Sequence, residues 1–481
     1  MSKSIQGLSV SRAVTLVTLC LLMGNGHWKT GGTSLAAGAP ENPLGGRLIF
    51  AQIPVPTEKG PASRNSGTDT CDGSRIVSLD PSGGAADLTV LTAGFVAAGH
   101  PDLSFDGRRI LFVGKRHRDD PLNVWEMDVD GRHPRQVTRQ TIDCTQAIYL
   151  PPIYTSASEG PVHQLGFVST NAGGVASLFT CKMDGRGVRR ITYNPLGVRD
   201  PYLLDDGRLL YRSRQPAGHE SRDEGPPRRN STLFTVNTDG TDVSAFAGAH
   251  EPSPSSLPDG RLLVSYRAEE GGSYGIYVFD AARDTRTEVF DSPRWHELNA
   301  RVVRARRQPP GRSSVIDERL LHGYLYGLDA YLSNTAAGAS IERGDIERVQ
   351  VFAAIVDVDD EREETHSEAI AEVLLGEAPV ESDGSFHLEI PARRPLRLRT
   401  VDAGGRTLQS MQSWIWVMPR EARGCIGCHE DRELTPPNRH VLALRKPSHV
   451  IGVPARDEPR QDHARQELEP PYPTGEDRRR K

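Results

Sequence analysis

The 481-residue chain is poor in cysteine and methionine, with 6 of each, and it has no long apolar run. A membrane helix needs about 20 consecutive apolar residues. The nearest approach is 13–24, which is too short and carries two threonines. No membrane span is therefore expected in the mature chain. A basic domain is missing too. The net charge is -5, and the charged residues, 25% of the chain, mix both signs. That excludes an electrostatic footprint for nucleic acid. No Ser-His-Asp order, Walker loop or H-E-x-x-H motif occurs through the first 300 residues, so the common hydrolase, nucleotide and zinc-protease signatures are absent there.

What is present begins at the N-terminus. Lys3 and Arg12 precede the short apolar run, and small residues follow at Ala36, Ala37 and Ala39. Basic, apolar and small-residue regions in that order form a secretory signal peptide. Residues 1–39 are assigned to it, and the mature protein is expected to be soluble and exported, in a periplasm or its equivalent. A retained N-terminal anchor is the alternative. A lipoprotein through Cys20 fits less well, because bulky Leu19 stands where a small residue is expected. An export compartment permits disulfides. Outside the signal and the motif treated below, only Cys71, Cys144 and Cys181 remain. A Cys144–Cys181 bridge and three inert buried thiols are both compatible with that odd number.

Two patterns recur between residues 45 and 300. One is a tight turn followed by an apolar strand, as in "PDLSFDGRRILFVG", "DPYLLDDGRLLYRS" and "EPSPSSLPDGRLLVSY". The pairs Asp106-Gly107, Asp206-Gly207 and Asp259-Gly260 suit turns that need a positive φ. The other is strand, turn, short strand, starting near Ile76, Val124, Leu178, Leu233 and Ile276. Each period holds about four short strands, enough for one blade of a β-propeller. "GGRLIFAQ" reads as an early strand that completes or closes the ring. Five blades are clear; closure predicts about six, with seven as an alternative. The repeats resemble TolB-like β-propellers, a likeness that implies the fold and leaves the function open.

His100-Pro101-Asp102, Arg199-Asp200-Pro201 and His250-Glu251-Pro252 stand at corresponding places in the repeats. Facing a central channel, they would form a polar ring for a ligand or ion. The preferred reading is that they shape the turn into each blade.

Past Pro293 the rhythm stops. Residues 40–300 are assigned to the propeller and the basic, Pro/Gly-rich 301–315 to a linker. Residues 316–453 are assigned to a β-rich domain, and 454–481 to a disordered charged tail. The β-rich domain reads as a small sandwich. Phe386, Leu388 and Ile390 are predicted inward, with His387 and Glu389 outward. Trp414 and Trp416 fall on one face of a last strand, either as core or against a bound ring.

That strand leads into C-I-G-C-H, Cys425 to His429. C-x-x-C-H is the attachment signal for c-type haem. Two thiols reach two vinyl groups on one side of a porphyrin, and the next residue offers an imidazole to the iron. Cys425 and Cys428 would form the thioethers, and His429 would ligate the metal. The motif and the export signal agree independently. A zinc site of Cys425, Cys428, His440 and His449 is a weaker alternative, because the histidines are widely spaced. A redox dithiol lacks a βαβ setting. No methionine follows Cys428, so the sixth ligand is left among His366, His387, His440, His449, Met411 and Met418, or is absent.

The segments Pro379–Phe386, Met411–Trp414 and Gly424–Glu430 resemble the C-terminal part of proteins related to the hydrazine synthase alpha subunit. That resemblance implies a propeller joined to a domain with covalent haem, and it extends to Cys425, Cys428 and His429 as attachment and ligand residues. The reaction itself is not carried over, since this sequence holds a single C-x-x-C-H. The expectation is one haem c, electron transfer or haem redox chemistry, a redox partner protein and a possible hetero-complex. The alternative is a propeller scaffold for a protein or glycan partner, with the motif as a structural staple.

Overall fold

The computed structural model describes residues 44–55, 70–81, 88–156, 158–170, 174–214, 231–246, 255–269, 271–333, 340–355, 370–428 and 440–452. The expected signal at 1–39, the expected tail at 454–481, His250, Glu251, His366 and His429 lie outside these residues. Among the described residues, no helix is long and apolar enough to cross a membrane.

The protein is all-β, built mostly of four-stranded antiparallel sheets. Five such sheets, here blades 1 to 5, follow the sequence repeats. Blade 2 is typical: Ala97–Leu103, Arg109–Lys115, Asn123–Asp128 and Arg135–Gln136 pair in chain order. Its first turn forms as predicted. Gly107 has φ 71°, its amide donates to the Ser104 carbonyl at 2.9 Å, and the Asp106 carboxylate accepts from the Arg108 amide at 3.1 Å. Gly207 and Gly260 repeat the positive φ at 85° each.

Blade 1 breaks the chain order. Leu48–Pro54 pairs on one side with Arg75–Leu79 and on the other with Trp295–Val302. "GGRLIFAQ" therefore completes blade 1 and does not open a further blade. The count is five sheets among the described residues, against an expected six. The segment just past Pro293 supplies the closing strand.

Blades interlock through apolar faces. Ile49, Ile76, Ile110 and Phe112 join blades 1 and 2, and Val113, Val124, Leu165 and Phe167 join blades 2 and 3. Leu48, Val77, Leu263 and Ile276 join blades 1 and 5. Cys144 and Cys181 are free, buried thiols, and burial pushes each up to about 12. Cys71 is also free, but exposed.

Two further sheets follow. One runs Glu372–Pro379, Arg348–Ala354, Leu396–Val401 and Thr407–Ser410. The other, mixed in direction, runs Ala422–Cys425, His322–Gly327, Phe386–Pro391 and His449–Val450. Their inner faces share one core, including Val349, Val351, Leu398, Leu325, Leu388 and Ile390. Phe386, Leu388 and Ile390 point inward as predicted, but Glu389 is buried too, 3.5 Å from His322. Residues 414–417 form no regular strand. A single bridge links Ile415 to Leu396.

The same core continues into blade 4 through Tyr211, Val236 and Val243. Trp416, fully buried, donates from Nε1 to the Gly240 carbonyl at 2.9 Å and meets Tyr193 edge-on at 6.0 Å. Trp414 is buried beneath the Arg397 guanidinium, 4.4 Å from its ring. Both tryptophans are core residues, and Trp416 fastens the two parts of the molecule together.

Candidate functional site

Two places gather the residues singled out above. The first is the axis of the blades. His100, Asp102, Gln146, Asp200, Asn299 and Arg301 line a cavity of about 40 Å³ there. One water needs roughly 10–15 Å³ of such space, so a few waters fit and an organic substrate does not. His100, Asp200 and Asn299 each take a left-handed backbone, with φ 50°, 54° and 57°. Two of the inner strands lose register at this point, between Gly99 and Asp102 and between Arg199 and Tyr202. The carboxylates are engaged internally. Asp102 accepts from the Tyr149 amide at 2.9 Å and from Arg306 at 3.1 Å, with Arg301 at 3.6 Å. Asp200 exchanges hydrogen bonds with Gln146 and pairs with Arg212 at 3.6 Å. This arrangement supports the structural reading of His100-Pro101-Asp102 and Arg199-Asp200-Pro201; the third triplet lies outside the described residues.

The second place is the edge strand Ala422–Cys425. It pairs in parallel with His322–Gly327, matching Arg423 to Leu325, Gly424 to Tyr326 and Cys425 to Gly327. Two glycines make this crossing possible. A Cβ on Gly424 would lie 2.8 Å from the Tyr326 ring, and one on Gly327 would lie 2.3 Å from Phe386. The chain then stays anchored. The Cys425 carbonyl accepts from Leu328 at 2.9 Å, the Ile426 carbonyl from Asp329 at 3.2 Å, and the Cys428 amide donates to Leu332 at 2.8 Å.

Cys425 and Cys428 are unbridged and half-buried. Desolvation of the sulfur, with Cys425 and Asp329 nearby, pushes the Cys428 thiol up to about 12. It is therefore neutral at physiological pH, unlike a metal-ligating or redox-active thiolate. Among the described residues, no group of three His, Cys, Asp or Glu side chains is placed to hold a metal.

A cavity of about 820 Å³ opens beside this strand. Tyr326, Leu328, Arg423, Gly424, Cys425 and Ile426 line one side, and Asn237, Thr241 and Asp242 of blade 4 line the other. Its size falls within the usual range for cofactor pockets. Glu421 braces the junction. Its Oε1 accepts from the Asp242 amide at 2.7 Å and its Oε2 from the Met418 amide at 2.6 Å. Burial pushes this carboxyl up to about 7, against the pull of those amides and of Arg423. Sequence reasoning missed Arg423, Glu421 and the blade 4 turn, because nothing in the local pattern marks an inter-domain contact.

The proposed axial ligands scatter. His387 is two strands from Gly424, flanked by Tyr324 and Tyr326 at 6.0 and 6.4 Å, and its Nδ1 is buried without a hydrogen-bond partner among the described residues. His440 and His449 are exposed, Met418 is buried in the core, and Met411 packs against that core.

Part of what a covalently held porphyrin would need is present among the described residues. Two unbridged thiols stand three positions apart, and the first, Cys425, lines a roomy cavity. The fold and this strand define an all-β, propeller-like protein with a second unit that displays a C-x-x-C pair at a sheet edge.

Comparison with known proteins carries this further. The hydrazine synthase alpha subunit middle domain family matches residues 344–430. Hydrazine synthase subunit alpha of Kuenenia stuttgartiensis is 23% identical over an alignment 535 positions long, gaps included, covering 80% of this chain and 66% of that relative. The chain thus spans somewhat under two thirds of the relative's length. The solved structure of Kuenenia stuttgartiensis hydrazine synthase aligns with a TM-score of 0.68 and 21% identity, over 83% of this chain and 71% of that one. TolB from Acinetobacter baumannii aligns with a TM-score of 0.30 and 18% identity, over 55% and 68%. The chain is related to the hydrazine synthase alpha subunit.

Proposed function

We propose that this is an exported c-type haem protein working in electron transfer or haem redox chemistry, with its blades as a docking platform. The observation that carries the reading is the C-x-x-C-H motif, whose Cys425 and Ile426 line the 820 Å³ cavity and whose two thiols are free. Cys425 and Cys428 would hold the haem and His429 its iron. When bound, the haem supplies a one-electron couple; the chain supplies orientation, burial and electrostatics. The parallel strand pairing fixes Cys425, and Tyr326 offers an aromatic wall.

The remaining parts of the reading rest on the same footing. They are a secretory signal at 1–39, one haem, a blade ring joined to a sandwich-like haem domain, and a redox partner protein. The relative's name describes a subunit, which supports a hetero-complex. Hydrazine formation is not proposed for this chain.

The test is a pyridine haemochrome spectrum of the full chain made in cells able to mature c-type cytochromes. An α-band that survives acid–acetone extraction is expected, weakened or lost in Cys425→Ala and altered in His429→Ala. A colourless protein refutes the haem reading. Zinc in that protein would support a binding module stapled by the motif.

A further inference from the structure

Blade 4 concentrates positive charge at one spot. Its first two strands, Arg199–Leu203 and Leu209–Arg214, pair with Arg199 directly opposite Arg212. Like charges facing each other across a sheet are destabilising. Arg214 lies two positions beyond Arg212 on the same strand, so it leaves the same face. Three guanidiniums thus share one surface, in a chain whose net charge is -5.

One carboxylate answers them. Asp200 stands 3.6 Å from Arg212, and it also accepts from Gln146 at 3.3 Å. Among the described residues, neither the Arg199 nor the Arg214 guanidinium meets an acidic partner. Both are exposed, and Arg212 is half-buried. All three line a cleft of about 330 Å³ at the junction of blades 3 and 4, where Val175, Leu196 and Val198 give it apolar walls. No carboxylate lines it among the described residues. The axial cavity next to it, which Asp200 lines, holds only a few waters; this cleft reaches the lower end of the range for small-molecule sites.

We propose that this cleft binds a small organic dianion, a molecule carrying two carboxylates or one phosphate on a short apolar body. A guanidinium forks onto the paired oxygens of either group. Two unanswered positive charges match two negative ones, and the apolar walls take the hydrocarbon part. A bound dianion also offsets the repulsion between Arg199 and Arg212. The proposal is independent of the haem reading, since Cys425 and its neighbours line a different cavity.

The test is isothermal titration calorimetry of the full chain at fixed ionic strength, with succinate, propyl phosphate and acetate as probes. Saturable one-to-one binding of a dianion is expected, with acetate at least about tenfold weaker. Succinate against propyl phosphate decides which oxyanion the cleft takes. Arg199→Met and Arg214→Met should each weaken that binding about tenfold, the worth of one charge-assisted bond. Arg214→Lys, which keeps the charge and loses the fork, should fall between. Without ligand, both methionine variants should melt no lower than the parent, because the two side chains are exposed and Arg199 faces a like charge. No saturable binding of either dianion overturns the proposal. So does acetate binding as tightly as the dianions, or unchanged affinity in the methionine variants. A lower ligand-free melting temperature for those variants would show that the arginines serve the fold, and overturns it too.

Discussion

Glu297 offers a sharp test of the energetics of ring closure. It sits on the closing strand Trp295–Val302, directly opposite Gln52. It has no exposed surface, accepts from the Gln52 amide at 3.0 Å, and is relayed through Gln52 to Arg75, whose Nε donates at 3.0 Å. Burial dominates and raises its carboxyl from 4.5 to about 8. The folded chain therefore holds this proton more tightly than the unfolded chain. Stability is fully present below about pH 4.5 and is lost as pH rises toward 8. At 1.36 kcal/mol per pH unit, the loss is about 3 kcal/mol by pH 7 and roughly 5 kcal/mol by pH 9. Glu297→Gln keeps an acceptor for Gln52 and abolishes the ionisation. Urea unfolding followed by circular dichroism at pH 5, 7 and 9 is the assay. The variant should match the parent near pH 5 and exceed it increasingly above. A variant equally or less stable at pH 9, or one whose advantage ignores pH, would refute the reasoning.

Other expectations can be checked more briefly. With its thiol held near 12, Cys428 of the haem-free folded chain should alkylate on the order of a thousandfold more slowly at pH 8 than a free cysteine; mass spectrometry of iodoacetamide-treated protein reads this, and equal rates would contradict the burial. Trp416→Ala should cost about 3–5 kcal/mol and uncouple the melting of the blades from that of the later sheets, seen as a second calorimetric transition. Asp102→Ala should cost roughly 3–5 kcal/mol by stranding Arg306 and Arg301, measured by denaturant midpoint. Gly327→Ala, which drives a methyl into Phe386, should cost about 1–3 kcal/mol in the same assay.

The parts legible in the sequence are those written locally. The Asp-Gly turns and the apolar strands around them form because a positive φ and a two-residue period are properties of a few neighbours. Leu48–Pro54 was recognisable as a strand, but its partner was not. Pairing with Trp295–Val302 joins distant segments and fixes the number of sheets. The motif cysteines were equally plain, since their chemistry needs adjacent residues. Their surroundings were hidden. The bond from Trp416 to Gly240 spans 176 positions and that from Asp242 to Glu421 spans 179. Arg423 looks in sequence like any solvated arginine; only tertiary burial makes it unusual.

The stitching of Leu48 to Val302 has a consequence for biogenesis. The first-made strand of blade 1 must wait, with one flank bare, until the polypeptide beyond residue 302 has emerged. A nascent chain paused short of that point offers an open, aggregation-prone edge. Chaperones that hold the chain extended until synthesis ends would suit this architecture.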